Sequence, residues 1–150
     1  MGSWQNRHKV VPAVYIVLRR DDGQVFLMRR FNTGYCDGQY SLPAGHLDGN
    51  ESSVTAAIRE AKEEAGVDIE PKNLKLVHVM HRMAQERDHE RMDLYFEATE
   101  WAGEPDNLEP HKCDHVCWSS PADLPEQIIP EVRSVLRSIA EENYYSDANF

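Results

Sequence analysis

Three glutamates lie at a spacing that could bind metal ions. Glu60, Glu63 and Glu64 stand at positions i, i+3 and i+4 of a predicted helix, which places their carboxylates side by side on one helix face. Like charges so spaced destabilise an isolated helix by about 0.2–0.5 kcal/mol per pair. Because Mg²⁺ prefers hard oxygen ligands, the spacing predicts a site for divalent cations. The alternative is a solvated acidic face with an ion pair between Arg59 and Glu63.

The helix that carries these glutamates has predictable ends and a predictable buried side. Asn50 is expected as its N-cap, and Gly66 as the residue that terminates it. The preceding loop, 45–50, contains two glycines, which let the backbone approach a bound ion closely. The carboxylates are expected to point toward a groove or solvent, because the apolar residues cluster elsewhere on the helix. Those apolar residues are Val54, Ile58, Ala61 and Ala65.

The rest of the chain predicts strands before and after this helix. A second helix is expected at 128–142, where apolar residues recur at helical spacing. The charged residues 85–91 are expected to form a turn, and residues 143–150 a frayed tail. This order predicts an α/β/α sandwich with a mixed β-sheet. The predicted strands, rich in β-branched and aromatic residues, are 10–20, 24–31, 40–43, 74–83, 92–101 and 115–119.

Length and composition limit the classes of protein to consider. A chain of 150 residues predicts a single domain at 1–150, with its core at about 10–140. The formal net charge of −10 argues against binding to duplex nucleic acid, which requires a basic face. The longest apolar run is too short to span a bilayer, so no membrane partner is expected. Three cysteines indicate reduced thiols and a cytoplasmic protein, namely Cys36, Cys113 and Cys117.

The stretch from Gly45 to Val67 resembles the Nudix box, the signature of hydrolases that cleave a pyrophosphate linkage in a nucleoside diphosphate attached to another group. The resemblance implies the Nudix fold, an α/β/α sandwich. Ala61 is smaller than the residue usual at its position. Residues 34–47 are similar to MutT-like nucleotide hydrolases, and residues 103–125 to a branch that hydrolyses nucleoside triphosphates. The matching positions of the box are Gly45, Glu51, Arg59, Glu60, Ala61, Glu63, Glu64, Gly66 and Val67.

The resemblance also implies roles for individual residues. Glu60, Glu63 and Glu64 would hold Mg²⁺, for which Mn²⁺ is a substitute. Either Glu60 or Glu63 would also serve as the general base, and Arg59 would orient a catalytic carboxylate. The supporting residues of the loop and its junction with the helix would be Gly45 and Glu51.

Residues outside the box are candidates for further contacts. Among Asp93, Glu97 and Glu109, the last precedes a proline in a loop and is the preferred additional metal ligand. Aromatic faces can hold a nucleobase and arginines can bind phosphate, although each candidate has the alternative of an ordinary core or surface residue. The candidate substrate contacts are Arg30, Tyr35, Tyr40 and Trp118.

These features predict a Mg²⁺-dependent hydrolase that converts a nucleoside triphosphate to a nucleoside monophosphate and pyrophosphate, with a role in cleaning the nucleotide pool. The alternative substrate is a nucleoside diphosphate attached to another group, such as ADP-ribose, a nucleotide sugar or a dinucleoside polyphosphate. A binding module without catalysis is disfavoured because all three glutamates are present. The expected partner is a small nucleotide, and a homodimer is left open.

A second set of metal-ligand residue types alternates near the last predicted strand. Alternate residues of a strand share one face, but they lie about 6.5–7 Å apart. Four in a row cannot converge on one tetrahedral ion without a sharp bend, so we expect ordinary loop and core residues rather than a zinc site. The four are His111, Cys113, His115 and Cys117.

Overall fold

The computed structural model describes residues 2–84 and 89–150. Two α-helices form, α1 (Ser53–Ala65) and α2 (Pro130–Ala140), with short 3₁₀ helices at Trp4–Asn6 and Pro71–Asn73. The strands are β1 (Val11–Leu18), β2 (Val25–Arg30), β3 (Tyr40–Ser41), β4 (Ala44–His46), β5 (Lys75–Ala84), β6 (His89–Ala98), β7 (Cys113–Ser119) and β8 (Tyr145–Ala148).

The strands form two sheets. The larger sheet has the order β4-β1-β6-β5-β8 and is mixed, because β1 runs parallel to β6 and antiparallel to β4. The smaller sheet has the order β3-β2-β7 and is antiparallel. The sequence predicted the mixed sheet, but not that β2, β3 and β7 separate from it.

Strand β1 shows how the larger sheet is covered on both faces. Val14 and Ile16 belong to the core beneath α1, whereas Val17 belongs to the core that α2 covers. This alternation is that of a strand with two buried faces. The predicted α/β/α sandwich is therefore confirmed. The buried residues that helix α1 contributes to its core are all alanines, and Val54 and Ile58 pack against it partly exposed. The alanines are Ala56, Ala57, Ala61 and Ala65.

The sequence predicted a frayed C-terminal tail, but in the structure this tail contains strand β8. Strand β8 pairs in parallel with β5, with Val79 opposite Tyr145. The buried His78 side chain explains this order: its Nδ1 lies 2.8 Å from the carbonyl oxygen of Asn143, and its Nε2 lies 2.7 Å from Oγ of Ser146. Because a buried polar group requires partners, the tail satisfies a histidine that β5 places in the core.

Two other boundaries differ from the prediction. Ser52, not Asn50, caps α1, because its side chain accepts the backbone N–H of Thr55. Asn50 instead adopts a positive φ of 55° in the turn before the helix. Gly66 ends α1 in the left-handed conformation, as predicted. Of the predicted turn at 85–91, residues 85–88 lie outside the described residues, and residues 89–91 belong to β6.

Candidate active site

Helix α1 lies against β1 and β4, and its small residues bring it close to the sheet. Ala57 and Ala61 are fully buried and add little bulk between helix and strands. As a result the backbone of β4, which includes Gly45, lies beside the glutamates of α1. Ala61, at the box position where a larger residue is usual, is one of these buried alanines.

Glu60 lies on the buried side of α1, with only 9% of the residue exposed. Its carboxylate rests against the Cα of Gly45, where any Cβ would overlap the Glu60 side chain. From the spacing of the apolar residues, the sequence predicted that all three carboxylates point away from the buried side of the helix. For Glu60 this prediction is wrong, because Gly45 on the facing strand leaves room for its side chain. Burial raises the pKa of Glu60, against the lowering effect of Arg59.

Arg59 connects the acidic residues to one another. Its Nη2 donates to Oε1 of Glu51 at 2.8 Å, and its Nη1 donates to Oε1 of Glu60 at 2.8 Å and to Oε2 of Glu63 at 3.3 Å. Glu51 also accepts the backbone N–H of Asp48 at 2.8 Å. Hydrogen bonding to Arg59 lowers the pKa of Glu51. These contacts hold the loop before α1 against the helix and fix the direction of the Glu60 carboxylate.

Glu64 and Glu63 occupy different environments. The Glu64 carboxylate accepts the backbone N–H of Ala44 at 2.9 Å and lines a cleft. Burial, followed by repulsion from Glu60 and Glu109, raises the pKa of Glu64 to about 8. Half of the Glu63 side chain is exposed, so this residue lies at the solvent side of the group.

The carboxylates fit a divalent cation by their chemistry. Glu60, Glu64 and Glu109 each supply hard oxygen donors, and their repulsion in a half-buried setting favours a neutralising cation. Within the described part of the chain, no three acidic, histidine or cysteine side chains converge into a ready metal-binding group. Oε1 of Glu60 and Oε2 of Glu63 accept hydrogen bonds from Arg59, so a cation would bind through the other carboxylate oxygen of each residue.

The cleft beside Glu64 has a volume of about 780 Å³ and lies between elements of the two sheets. Its described basic side chains outnumber its carboxylates five to three, although the whole protein has a net charge of −10. Three of the five are paired with carboxylates outside the cleft lining, Arg29 with Asp114, and Arg82 and Arg91 with Asp93. The basic groups at the cleft surface are nevertheless suited to contact an anionic ligand. The carboxylates belong to Glu64, Glu109 and Glu131. The basic side chains belong to Arg29, Arg30, Arg82, Arg91 and Lys112.

Two of the four candidate substrate residues line this cleft. Arg30 and Tyr35 are both in its wall, where Nε of Arg30 donates to the Tyr35 carbonyl oxygen at 2.7 Å. The guanidinium of Arg30 also stands over the Tyr35 ring, 5.4 Å from its centroid. Because the two residues support each other, Arg30 is held at the cleft rather than extended into solvent.

The other two candidates lie elsewhere. Tyr40 is buried in the core that α2 covers, and its hydroxyl is 2.7 Å from Nδ1 of His115. Trp118 packs against Phe26 and stacks on Trp101 at a centroid distance of 6.3 Å. Neither residue is among the walls of the cleft. Their placement is that of the core residues which the sequence offered as the alternative.

Sequence reasoning missed several residues of the cleft wall, among them Tyr15, Arg82 and Arg91. The sequence did contain an indication of these residues, because Arg91 and Asp93 lie on the same face of their strand as the core residue Tyr95. Charged residues at inward-facing strand positions are rare unless they are paired. Such an exception to the alternating pattern is a reason to look for a functional site.

The four alternating histidines and cysteines do not form a zinc site among the described residues. The thiol of Cys113 donates to the carbonyl oxygen of His115, and the His115 ring bonds to Tyr40.

The carboxylate group should make metal binding depend on pH. The folded-state pKa of Glu64, about 8, lies above the ordinary value of 4.5, so the folded protein binds more protons than the unfolded chain between these values. In EDTA, this contribution to stability is complete below about pH 4.5 and is lost as the pH rises through about 8, with a slope of at most about 1.4 kcal/mol per pH unit. Because Mg²⁺ competes with these protons, the increase in Tm on adding Mg²⁺ should grow over the same range.

Thermal unfolding with EDTA or Mg²⁺ across this pH range checks the expectation, with Glu64→Gln as the control. The variant should lose most of the pH dependence of the Mg²⁺ effect. If the variant and the unmodified protein showed the same dependence, Glu64 would not be the titrating group.

Comparison with known proteins places this site in a family. A family model described as the NUDIX domain matches residues 9–139. The RNA pyrophosphohydrolase of Novosphingobium aromaticivorans is 28% identical over 152 aligned positions, which cover 87% of this chain and 90% of that protein. Human 8-oxo-dGDP phosphatase NUDT18 is 37% identical over 68 positions, 45% of this chain and only 21% of that protein.

Solved structures agree with the family model. The crystal structure of a MutT NUDIX hydrolase from Burkholderia pseudomallei is 25% identical and matches with a TM-score of 0.78, covering 87% of this chain and 98% of that one. Nudix hydrolases act on small nucleotides and generally use a divalent metal. Because the matched residues include the glutamates of α1 and nearly all of the sandwich, the chain belongs to the Nudix family and is a hydrolase of pyrophosphate linkages.

Proposed function

We propose that the chain is a single-domain, Mg²⁺-dependent nucleoside triphosphate pyrophosphohydrolase, which releases a nucleoside monophosphate and pyrophosphate. The observation that carries the proposal is that the cleft contains both carboxylates and basic side chains. Glu64 and Glu109 repel each other there, while five basic side chains line the same cleft. A polyphosphate chain, with more charge than one cation neutralises, requires both kinds of group.

The metal site of this proposal consists of carboxylates. Glu60, Glu63 and Glu64, with Glu109 from the loop before β7, would hold Mg²⁺. When bound, the ion would neutralise phosphate oxygens and make the attacking water more acidic. Arg59 would keep the Glu60 carboxylate in position through the hydrogen bond at 2.8 Å.

The remaining roles belong to residues around the carboxylates. Glu60 or Glu63 would accept the proton of the attacking water. Arg30, held over Tyr35, and Lys112, which lines the cleft, would bind phosphate oxygens. Tyr35 would contact the base or sugar, whereas the positions of Tyr40 and Trp118 give us no reason to propose such a contact.

The family and its members' names support the reaction class but leave the substrate open. Relatives are named RNA pyrophosphohydrolase and 8-oxo-dGDP phosphatase, so an RNA and an 8-oxo nucleotide are both candidate substrates. A nucleoside diphosphate attached to another group is the second candidate function, because a cleft of about 780 Å³ has room for a second moiety. The three cysteines are thiols and not disulfides, which supports a reducing, cytoplasmic setting.

The experiment that tests the proposal is a substrate panel with Mg²⁺. The panel contains the dNTPs, NTPs, 8-oxo-dGTP and 8-oxo-dGDP, a short 5′-triphosphorylated RNA, ADP-ribose, nucleotide sugars and diadenosine polyphosphates. We expect the highest kcat/KM for a mononucleoside triphosphate. Turnover confined to ADP-ribose or a nucleotide sugar would replace the proposal with the second candidate, and turnover confined to RNA would reject a mononucleotide substrate.

A further inference from the structure

Two arginines lie opposite each other on neighbouring strands in the wall of the cleft. Arg82 of β5 pairs directly with Arg91 of β6, and both are more than nine-tenths buried, with 4% and 8% exposed. Both line the cleft, together with Tyr15 of β1. None of the proposed steps at the acidic helix uses these three residues.

A single carboxylate serves both guanidinium groups. Nε of Arg82 donates to Oδ2 of Asp93 at 2.6 Å, and Nε and Nη2 of Arg91 donate to Oδ1 at 3.1 and 3.0 Å. Glu131 also lines the cleft, but it forms no ion pair with either arginine among the described residues. Counting only the described side chains that form ion pairs, the cluster has two positive charges and one negative charge. Burial of an unbalanced charge is costly, which favours an anion at this wall.

One terminal nitrogen of each guanidinium group approaches the hydroxyl of Tyr15. Nη2 of Arg82 and Nη2 of Arg91 approach the Tyr15 hydroxyl at 3.5 and 3.4 Å, which is long for a hydrogen bond. The Tyr35 side chain is a further partner of Arg82. Phosphate oxygens near the Tyr15 hydroxyl would accept shorter, charge-assisted bonds from both guanidinium groups. The two guanidinium groups could therefore donate to the same oxyanion.

We propose that Arg82, Arg91 and Tyr15 form an anion subsite that binds a phosphoryl group of the substrate, away from the carboxylates of α1. The inference rests on the proposed function, because it assigns a second phosphate-binding position in the same cleft. The phosphoryl group has two sources in nucleotides: the far end of a polyphosphate chain, or a phosphate monoester on the sugar. A purely structural ion-pair cluster that joins β5 to β6 is the competing explanation.

Binding measured in EDTA separates this subsite from the catalytic metal site. We expect calorimetry with inorganic pyrophosphate to give a Kd for Arg91→Gln at least about tenfold weaker than for the unmodified protein. This variant keeps the Arg82–Asp93 ion pair, so it removes the excess charge without leaving Asp93 unpaired. Arg19→Gln is the matched control, because it removes the same charge from an ion pair with Glu97, outside the cleft. Its Kd should change less than about twofold.

Two further ligands identify the source of the phosphoryl group. If the subsite binds a monoester, a nucleoside 3′,5′-bisphosphate should bind more tightly than the 5′-monophosphate, and Arg91→Gln should remove the difference. If it binds the end of a polyphosphate, only pyrophosphate and triphosphates should depend on Arg91. Either result supports the subsite.

The proposal is overturned if the unmodified protein does not bind pyrophosphate in EDTA, or if folded Arg91→Gln binds it equally well. Should Arg91→Gln fail to fold, Arg91→Lys keeps the charge but loses the guanidinium fork, and should weaken binding at least about threefold. Because no turnover is measured, failure of the proposed hydrolysis would leave these binding results unchanged, and the two ideas can fail separately.

Discussion

Glu60→Gln is expected to reduce kcat by about 10²–10⁴-fold, the range associated with loss of a general base or an equivalent charged group, while the protein stays folded. Glu60 is the most buried of the three glutamates of α1 and lies between Gly45 and Arg59. An amide at this position keeps the shape and can still accept the Arg59 hydrogen bond. It cannot bind a cation as a carboxylate does or accept a proton.

The stability of Glu60→Gln should move in the opposite direction from its activity. Burial and the neighbouring carboxylates raise the pKa of Glu60, so the charged form is unfavourable in the folded protein without a metal ion. In EDTA near pH 8, the variant should therefore be as stable as the unmodified protein or more stable, as is typical of residues kept for function. Thermal unfolding and steady-state kinetics on the same sample test both parts.

A surface glutamate provides the control for this variant. Glu70 is exposed and pairs with Lys72 at 3.3 Å, so Glu70→Gln should leave both kcat and Tm nearly unchanged. The account of Glu60 is wrong if Glu60→Gln keeps more than about a tenth of the activity, or if it loses activity only because it unfolds.

Gly45→Ala is expected to reduce kcat/KM by about 10²-fold with a small change in stability. The backbone at Gly45 does not require a positive φ, so alanine is acceptable to the main chain. Its Cβ would, however, overlap the carboxylate of Glu60. A flexible side chain can move away, which spares the fold but displaces the carboxylate that we propose to be catalytic. A displacement of about 1 Å can cost about 10²-fold in rate.

A double-mutant cycle tests whether the small loss of stability in Gly45→Ala comes from contact with Glu60. The free energy of unfolding is measured for Gly45→Ala, Glu60→Ala and the pair, because contacting residues show non-additive changes. In the Glu60→Ala background, the alanine at position 45 should no longer destabilise the protein. If its cost is the same in both backgrounds, the Cβ clashes with something other than Glu60.

The sequence predicts the acidic helix well because local rules determine it. Its apolar spacing and the glycine at its end fixed α1 to within a few residues, and the strands to either side followed from β-branched runs. The N-cap was misplaced by two residues because Asn50 and Ser52 are both good caps. Asn50 is not the N-cap, because it adopts a positive φ in the turn before the helix.

Features that depend on distant partners could not be predicted. The tail became β8 because His78, buried in β5, binds Asn143 and Ser146, residues distant in sequence. The burial of Glu60 depends on a glycine in β4, on the other side of the helix–sheet contact. Periodicity within one helix does not report what lies opposite it.

The residues of the cleft were also difficult to predict, because they come from parts of the chain that are distant in sequence. Aromatic residues were chosen for their type, and Tyr40 and Trp118 proved to pack in or against the cores. Arg82 and Arg91 were passed over because strands β5 and β6 bring them together only by their register. Residue type predicted the acidic group of α1, whereas the shape of the rest of the cleft depends on pairing between strands.

The most direct test of the central claim is product analysis by ³¹P NMR of one reaction mixture, a dNTP incubated with the protein and Mg²⁺. We expect equal amounts of nucleoside monophosphate and pyrophosphate, and no products when EDTA replaces Mg²⁺. Release of nucleoside diphosphate and orthophosphate, or no turnover of any dNTP by folded protein, would contradict the account.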